Sequence, residues 1–513
     1  MKKLIFLLFL ISSFNLFGQI PMFKWVKKIP FEIVCQCADN EDNIYIAGNF
    51  SDTILFENQL IFANDNVSNV LVAKFDSTGN LLWYRQFGGA EGDWSADIEL
   101  DHNNDLIITN YFHGSTIYYG DTIDPGMDVH GAIITKLSNN GELIWYKVPG
   151  YNDNGCFHVF FSTVDQENNI LISGDIQHGN GIFTDTIIPS LGLIPGFAAK
   201  YNTHGDFLWV RKFDDLVYQF SFDFSNNILL FSDSIHKYTA ADEHIWTKGT
   251  NVDFPLSDFW PQMATDSLDN FYLAANIGST FIAGDDSLVS GGNSRFLYVK
   301  CNPSGDPVMG VSIICPYYSV ANSIFIKKNR LLIAGTFRDK IFFDSDSLIS
   351  MAKYRNNIFI AEYDLSGNRK FIKKIDSRYG CSSHLISMSK SIYLSGYSYD
   401  STYFDNILLI NGNNSFSHGY FLSRLQSEVV HPIIYPETFE IYPNPTRNSF
   451  TVNFNPYYKN VTLTIFDLQG KRIMDKDLSN YSNSINIGFL SKGLYIVKLK
   501  TDDDIIFRKI EKL

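Results

Sequence analysis

The sequence predicts an all-β chain: a seven-bladed β-propeller of four-stranded repeats, followed by a small immunoglobulin-like β-sandwich. Three observations carry that expectation. A glycine-centred hairpin signature recurs at fixed internal spacing, an aspartate–asparagine signature interleaves with it, and the strand missing from the last copy stands near the N-terminus.

The hairpin signature runs Lys74…Gly79…Trp83, and returns as Lys136…Gly141…Trp145, Lys200…Gly205…Trp209, Lys237…Asp242…Trp246, Lys300…Gly305…Met309 and Glu362…Gly367…Phe371. Five residues always lead from the charged position to the glycine, and four more to the large apolar one. An apolar strand ends, a turn of Asp, Asn and Ser follows, and glycine supplies the positive φ at low cost. Asp242 stands in for glycine in the fourth copy, since Asp tolerates the left-handed region at some cost.

The second signature reads Asn43-Ile-Tyr-Ile46, Asp105-Leu-Ile-Ile108, Asn169-Ile-Leu-Ile172, Asn227-Ile-Leu-Leu230, Asn270-Phe-Tyr-Leu273, Arg330-Leu-Leu-Ile333 and Ser391-Ile-Tyr-Leu394. Asp39, Asp101, Asp165, Asp223 and Asp266 each stand four residues upstream, as turn residues feeding a strand. Short runs such as Ile54–Phe56 and Ile341–Phe343 are expected as third strands. Trp83 and Trp145 are 62 residues apart, Trp145 and Trp209 64, but Trp209 and Trp246 only 37, so the fourth copy has trimmed middle strands. Four strands per repeat with a recurring aromatic is the pattern of propeller blades.

The seventh copy runs through Arg424-Leu425 without its final strand. Phe23-Lys-Trp25-Val-Lys27 matches that strand when set beside Leu82-Trp-Tyr-Arg85 and Leu208-Trp-Val-Arg211. Sharing one sheet between the two ends of the array hides edges that a linear array would expose. The once-per-repeat tryptophans Trp83, Trp145 and Trp209 read as packing between sheets. The stretch Trp83-Tyr-Arg-Gln-Phe-Gly-Gly89-Ala-Glu-Gly-Asp93 resembles the bacterial seven-bladed propeller repeat family, over roughly residues 20 to 427, and that resemblance implies a fold rather than an activity.

At the start, Lys2 and Lys3 precede an apolar run from Leu4, with Gly18 at its end, the order of a cleavable signal peptide over residues 1–18. The run is interrupted by Ser12, Ser13 and Asn15 and is shorter than the roughly 20 residues a spanning helix needs. No transmembrane anchor is expected elsewhere. The propeller is assigned to 19–427 and a proline-containing linker to 428–438. Short alternating strands then fill 439–513 as a small sandwich. There, Tyr442-Pro443-Asn444-Pro445, the run from Val461 to Gly470, Gly493-Leu-Tyr-Ile-Val-Lys498 and the basic–apolar end around Lys509 resemble the type A sorting domain of type IX secretion cargo. The resemblance implies that residues 439–513 partner the type IX machinery. The chain would then cross the periplasm to the outer surface or the medium.

The net charge of -14 and the absence of a basic tract exclude a nucleic-acid partner. Six cysteines are too few for a disulfide framework in 513 residues, and Cys35 and Cys37 have no histidine close in sequence for a zinc site. No His-Glu-x-x-His, Gly-x-Ser-x-Gly, P-loop or EF-hand pattern occurs. No cofactor is expected. Calcium at the turn aspartates is a weak reading, because each turn offers one or two carboxylates where a site needs six or more oxygens.

The innermost strand of each repeat runs up to the turn aspartate, and eight residues before that turn stand Asp93, Asp215 and Asp258. With His158 and His384 nearby, and with Trp94 and Trp260 outside the repeat pattern, these seven residues are the candidates for a binding funnel at the channel mouth. The expected function is a non-catalytic binding module for an extracellular ligand, polysaccharide or protein. The competing one is a glycosidase or lyase using carboxylates across the funnel.

Overall fold

A computed structural model describes residues 21–426 and 440–513, with interruptions at 64–66, 90–91, 125–128, 153–155, 191–194, 215, 218, 233, 250–261, 278–280, 284–285, 289–294, 328, 344–345, 412–417, 454–460, 479–481 and 502–504. Every regular element among the described residues is a β-strand. The chain divides into two compact units, Met1–Glu428 and Val429–Leu513.

In the first unit one pairing pattern repeats. Glu32–Ala38, Ile44–Phe50, Asn69–Phe75 and Leu81–Phe87 pair antiparallel in that order as a first sheet. The second sheet orders Asp93–Leu100, Leu106–His113, His130–Leu137 and Leu143–Lys147 likewise. The third uses Cys156–Val164, Ile170–Gln177, Gly196–Tyr201 and Phe207–Phe213. The fourth uses Gln219–Phe222, Ile228–Phe231, Ser234–Tyr238 and His244–Gly249. The fifth holds Gln262–Thr265, Phe271–Ile277, Arg295–Cys301 and Pro307–Ile314. The sixth holds Tyr318–Lys327, Arg330–Arg338, Asn356–Asp364 and Arg369–Ser377. The seventh runs Cys381–Met388, Ile392–Tyr399, His418–Gln426, and its fourth strand is Met22–Ile29 from the other end of the unit.

The core lies between successive sheets. Ile98, Leu106 and Ile133 of the second sheet pack with Tyr45, Val70 and Val72 of the first, and comparable clusters join each later pair. Ile33, Ile44 and Leu71 of the first sheet pack with Tyr393 and Leu422 of the seventh, which closes the cycle. Second and third strands are covered on both faces, so they read as near-continuous apolar runs: Asn69–Phe75 is buried throughout, with Lys74 its one charged residue.

Polar contacts hold neighbouring sheets in register. Each turn aspartate takes backbone N–H groups of its own turn. Asp165 Oδ1 accepts from Glu167 and Asn169, and its Oδ2 pairs with Lys200 Nζ at 2.9 Å. Lys136 meets Asp101 at 2.7 Å and Lys237 meets Asp223 at 2.7 Å in the same way. Both oxygens of these carboxylates are therefore engaged by turn and lysine. The lysine also reaches the next sheet, where Asn139 O accepts both Lys74 Nζ and Trp83 Nε1 at 3.0 Å. Pro303 O likewise accepts Lys237 Nζ and Trp246 Nε1. Trp25 Nε1 donates to Ser77 O, so the seventh sheet grips the first as the others grip their successors. In the sixth sheet the charges are exchanged, with Arg330 at the asparagine position bonding Glu362 at the lysine position. In the seventh, Arg424 pairs with Asp42 of the first sheet at 2.8 Å.

Two sequence expectations need correction or explanation. Ile54–Phe56 and the run 341–343 are not third strands. Among the described residues Ile54–Phe56 pairs with Gln59–Ile61, and Lys340–Phe343 pairs with Asp346–Ile349, as hairpins in the second-to-third connection, the latter also touching the fifth sheet through Ile314 and Phe342. Three residues with one buried side chain cannot displace a seven-residue, fully buried strand from the ladder. Asp242 does adopt φ 69°, and its carboxylate accepts Arg211 Nε at 2.6 Å while its carbonyl accepts the same guanidinium, contacts glycine could not supply in full.

In the second unit, Glu440–Tyr442, Ser449–Asn453 and Ser482–Asn486 form one sheet. Arg472–Leu478, Val461–Phe466, Gly493–Lys500 and Ile505–Lys512 form another. Phe450, Val452, Leu463, Ile465, Val497 and Ile510 are among the side chains of the core the sheets share.

Gly141 has φ 77° and faces the Trp83 ring, so an added Cβ would lie 2.7 Å from it, whereas Gly120 has φ 87° and open space. Gly120→Ala should cost about 1–2 kcal/mol from backbone alone. Gly141→Ala should cost more, about 2–4 kcal/mol, because it also displaces the ring. Urea midpoints check this, and equal costs would refute the packing of Trp83 on Gly141. Deleting 22–29 should lower the thermal midpoint and promote association through the bared edge of His418–Gln426; an unchanged monomeric melt would refute that.

Candidate functional site

Three of the seven sequence candidates have described side chains. Asp93 is fully buried. Its Oδ2 accepts from Gly89 N at 2.7 Å and its Oδ1 from the Thr116 hydroxyl at 2.8 Å. Burial pushes its carboxyl up to about 6, opposed by those two bonds. It anchors the connection into the second sheet from inside. Trp94, the next residue on the alternating strand, points the other way and is half-buried. Its ring stacks on Tyr111 at 5.3 Å, and Tyr111 meets the His158 ring edge-on at 5.5 Å. Trp94 and His158 therefore belong to one aromatic run across the second and third sheets. Asp215, Asp258 and Trp260 lie outside the described residues, as does the side chain of His384.

His158 is fixed from two sides. Its Nδ1 lies 2.8 Å from Asp175 Oδ1, and Asp175 is itself held by Gln177 Nε2 at 2.9 Å. A Cβ on Gly174 would lie 1.7 Å from His158 O, so only glycine lets the paired strands close at this bulge.

The inner strand Asp93–Leu100 carries two carboxylates that the spacing from the turn passed over. Asp97 Oδ2 accepts Ser162 N of the third sheet at 2.8 Å, and Asp97 Oδ1 accepts Ile98 N. Glu99 sits two residues on, on the same face of the strand. Both keep partial solvent contact although protein surrounds them. Burial pushes Asp97 up to about 7, and burial plus the Asp97 charge pushes Glu99 up to about 7. Strand alternation alone marks them, since both lie in the stretch read as innermost.

A cavity of about 380 Å³ opens between the sixth and seventh sheets. Arg338, Tyr354, Arg355, Tyr379, Tyr397 and Tyr399 line it together with Asn356, Gly380 and Cys381, and none of these is a carboxylate. Tyr354 and Arg355 are exposed. Arg338 donates from Nε and from a terminal nitrogen to Asn356 Oδ1. Tyr397 and Tyr399 stand edge to face at 5.8 Å. No repeat position signals this site, because its residues fall at strand ends where the repeats diverge.

In the second unit the sorting-motif residues brace the last strand. Asn444 Nδ2 donates to Lys509 O at 2.8 Å, and Asn444 Oδ1 accepts Glu511 N at 2.9 Å. Pro443 and Pro445 flank that asparagine, and Tyr442 closes the strand before it. Gly470 has φ 80° in a turn whose Asp467 side chain accepts from Gln469 N and Lys471 N. Gly493 opens the strand that pairs with the last one, and the Lys509 side chain is exposed.

Residues 440–512 match the family described as the secretion system C-terminal sorting domain. That assigns the second unit to the type IX secretion route and the protein to export, to the cell surface or beyond it. An uncharacterized WD repeat-containing protein of Acanthamoeba polyphaga mimivirus is 27% identical over 166 residues, 28% of this chain and 12% of that protein. The chain thus spans a small part of that relative. Among solved structures, a protein of unknown function from Bacteroides caccae is 10% identical, with TM-score 0.32 over 59% of this chain and 89% of that one. PorZ, a surface component of the type-IX secretion system of Porphyromonas gingivalis, is 8% identical, with TM-score 0.22 over 94% and 82%. An endo-arabinanase from Bacillus licheniformis is 10% identical, with TM-score 0.26 over 67% and 99%. Likeness this low leaves the functional reading to the chain's own residues. No helix among the described residues is long and apolar enough to cross a membrane.

Asp97 and Glu99 give a pH signature. Each holds its proton more tightly folded than unfolded. Its contribution is full below the unfolded value near 4 and is lost as pH rises to about 7. The Asp97→Asn/Glu99→Gln variant should therefore gain stability over the native protein as pH goes from about 5 to about 8. A pH-independent difference in urea midpoints would refute the raised values.

Proposed function

We propose that this protein is an exported seven-bladed β-propeller. Its sorting domain, read as immunoglobulin-like, delivers a non-catalytic binding module for an acidic polysaccharide to the outer surface. Seven repeats of four antiparallel strands, whose first strands touch in cyclic order, support the architecture. The observation that carries the ligand class is the cavity between the sixth and seventh sheets. Tyrosine faces suit sugar rings, and the guanidinium groups of Arg338 and Arg355 suit uronate or sulfate groups. On a chain of net charge -14, a lining with two arginines and no carboxylate selects anions locally. The same lining speaks against hydrolysis there, since glycosidases act through paired carboxylates.

The competing reading, a secreted carbohydrate-active enzyme, draws on Asp97 and Glu99. A carboxyl raised to about 7 suits a general acid near neutral pH. Protein surrounds both carboxyl groups, which makes access by a polymer difficult and favours the binding module.

The purified protein should be retained on polyuronate or sulfated polysaccharide and pass through neutral glucans, without forming products. Tyr354→Ala and Arg355→Ala should each weaken retention about 10-fold, as exposed aromatic and arginine anchors do. New reducing ends or unsaturated products would establish the enzyme instead. Retention unaffected by both substitutions would move the site away from this cavity.

A further inference from the structure

His130, Cys156 and His158 converge from two neighbouring sheets. His130 opens the third strand of the second sheet, while Cys156 and His158 lie two residues apart on the first strand of the third. One donor atom from each lies within 4.8 Å of the others. Cys156 Sγ stands 3.9 Å from His130 Nε2. The His130 ring stacks on His113 at 4.4 Å, which fixes its plane. Asp175, almost fully buried, engages His158 Nδ1 at 2.8 Å, so that Nε2 is the ring nitrogen this pairing does not use. A carboxylate behind the distal nitrogen of a ligating histidine is the arrangement that orients metal-binding imidazoles.

We propose that His130, Cys156 and His158 form a site for a divalent transition metal of zinc's class, oriented by Asp175 and bridging the second and third sheets. Two imidazoles and a thiolate match zinc's preference for nitrogen and sulfur donors. Zinc–nitrogen bonds of about 2.0 Å and zinc–sulfur bonds of about 2.3 Å need donors roughly 3.5 Å apart, so the three side chains close by about 1 Å. All three are partly exposed, which leaves the fourth position open to water. On binding, the Cys156 S–H bond is exchanged for an S–metal bond and one proton passes to solvent. The site stands on this geometry alone and is independent of the glycan reading.

Cys156 is half-buried and the other five cysteines are buried. In the native full-length protein it should therefore be the cysteine that a small alkylating reagent modifies first. One equivalent of Zn²⁺ should slow that modification at least 10-fold. Co²⁺ should bind at one equivalent with the visible bands of a tetrahedral thiolate site and be displaced by Zn²⁺. Asp175→Asn should weaken cobalt binding about 10- to 100-fold with the fold intact by circular dichroism. Cys156→Ser should lose the thiolate-to-cobalt band. Unchanged alkylation with Zn²⁺, or a cobalt spectrum retained in Cys156→Ser, would overturn the site. The zinc-protection measurement needs no substitution, so a variant that fails to fold does not decide it.

Discussion

Lys74, Lys136, Lys200 and Lys237 are almost without solvent contact, and each stands at the end of a third strand. Burying an ammonium is costly unless it is paired and fully hydrogen-bonded. Here the pairing is divided: the turn aspartate of the lysine's own sheet supplies the charge, and in three of the four a turn carbonyl of the following sheet supplies a further acceptor. A lysine placed this way is satisfied only when its neighbour is docked. The tryptophan that donates to that same carbonyl adds aromatic area to the contact. Folding of one sheet is thereby tied to the presence of the next.

The same logic explains where the pattern varies. In the sixth sheet Arg330 and Glu362 exchange the signs of the pair and preserve it. At the junction of the two ends, Asp42 of the first sheet serves Arg424, Ser391 and the backbone of Lys390 in the seventh. Asn168, Asn226 and Asp269 receive backbone N–H groups of the preceding sheets' turns in the corresponding manner. The junction is thus bonded like any other interface, and Trp25 Nε1 adds a side-chain contact from the N-terminal strand to its ladder with His418–Gln426.

The candidate groups lie in the places this scaffold leaves unconstrained. The repeated residues are consumed by packing: turn aspartates by lysines, glycines by tryptophan faces, lysines by carbonyls. What remains for ligands lies at strand ends, where the repeats diverge. The tyrosine–arginine cavity sits there between the sixth and seventh sheets, and the imidazole–thiol cluster between the second and third. Asp93 illustrates the other case, a carboxylate that a count from the turn places beside Trp94 but that alternation directs inward to Gly89 and Thr116.

The sequence by itself determined the strand composition, the seven-fold signature, the strand shared between the two ends and the sorting domain. Each of these is written in short-range spacing, which a period of two or a turn residue converts directly into structure. The expected third strands at Ile54–Phe56 and 341–343 failed because ladder position depends on burial across a neighbouring sheet. That burial belongs to no single segment. The sites were legible only in part. Trp94 and His158 do meet through Tyr111, but His130 and Cys156 lie 26 residues apart and join across an interface between sheets. Arg338, Arg355 and Tyr399 join in the same manner, so only the tertiary structure decides which of these side chains share a site.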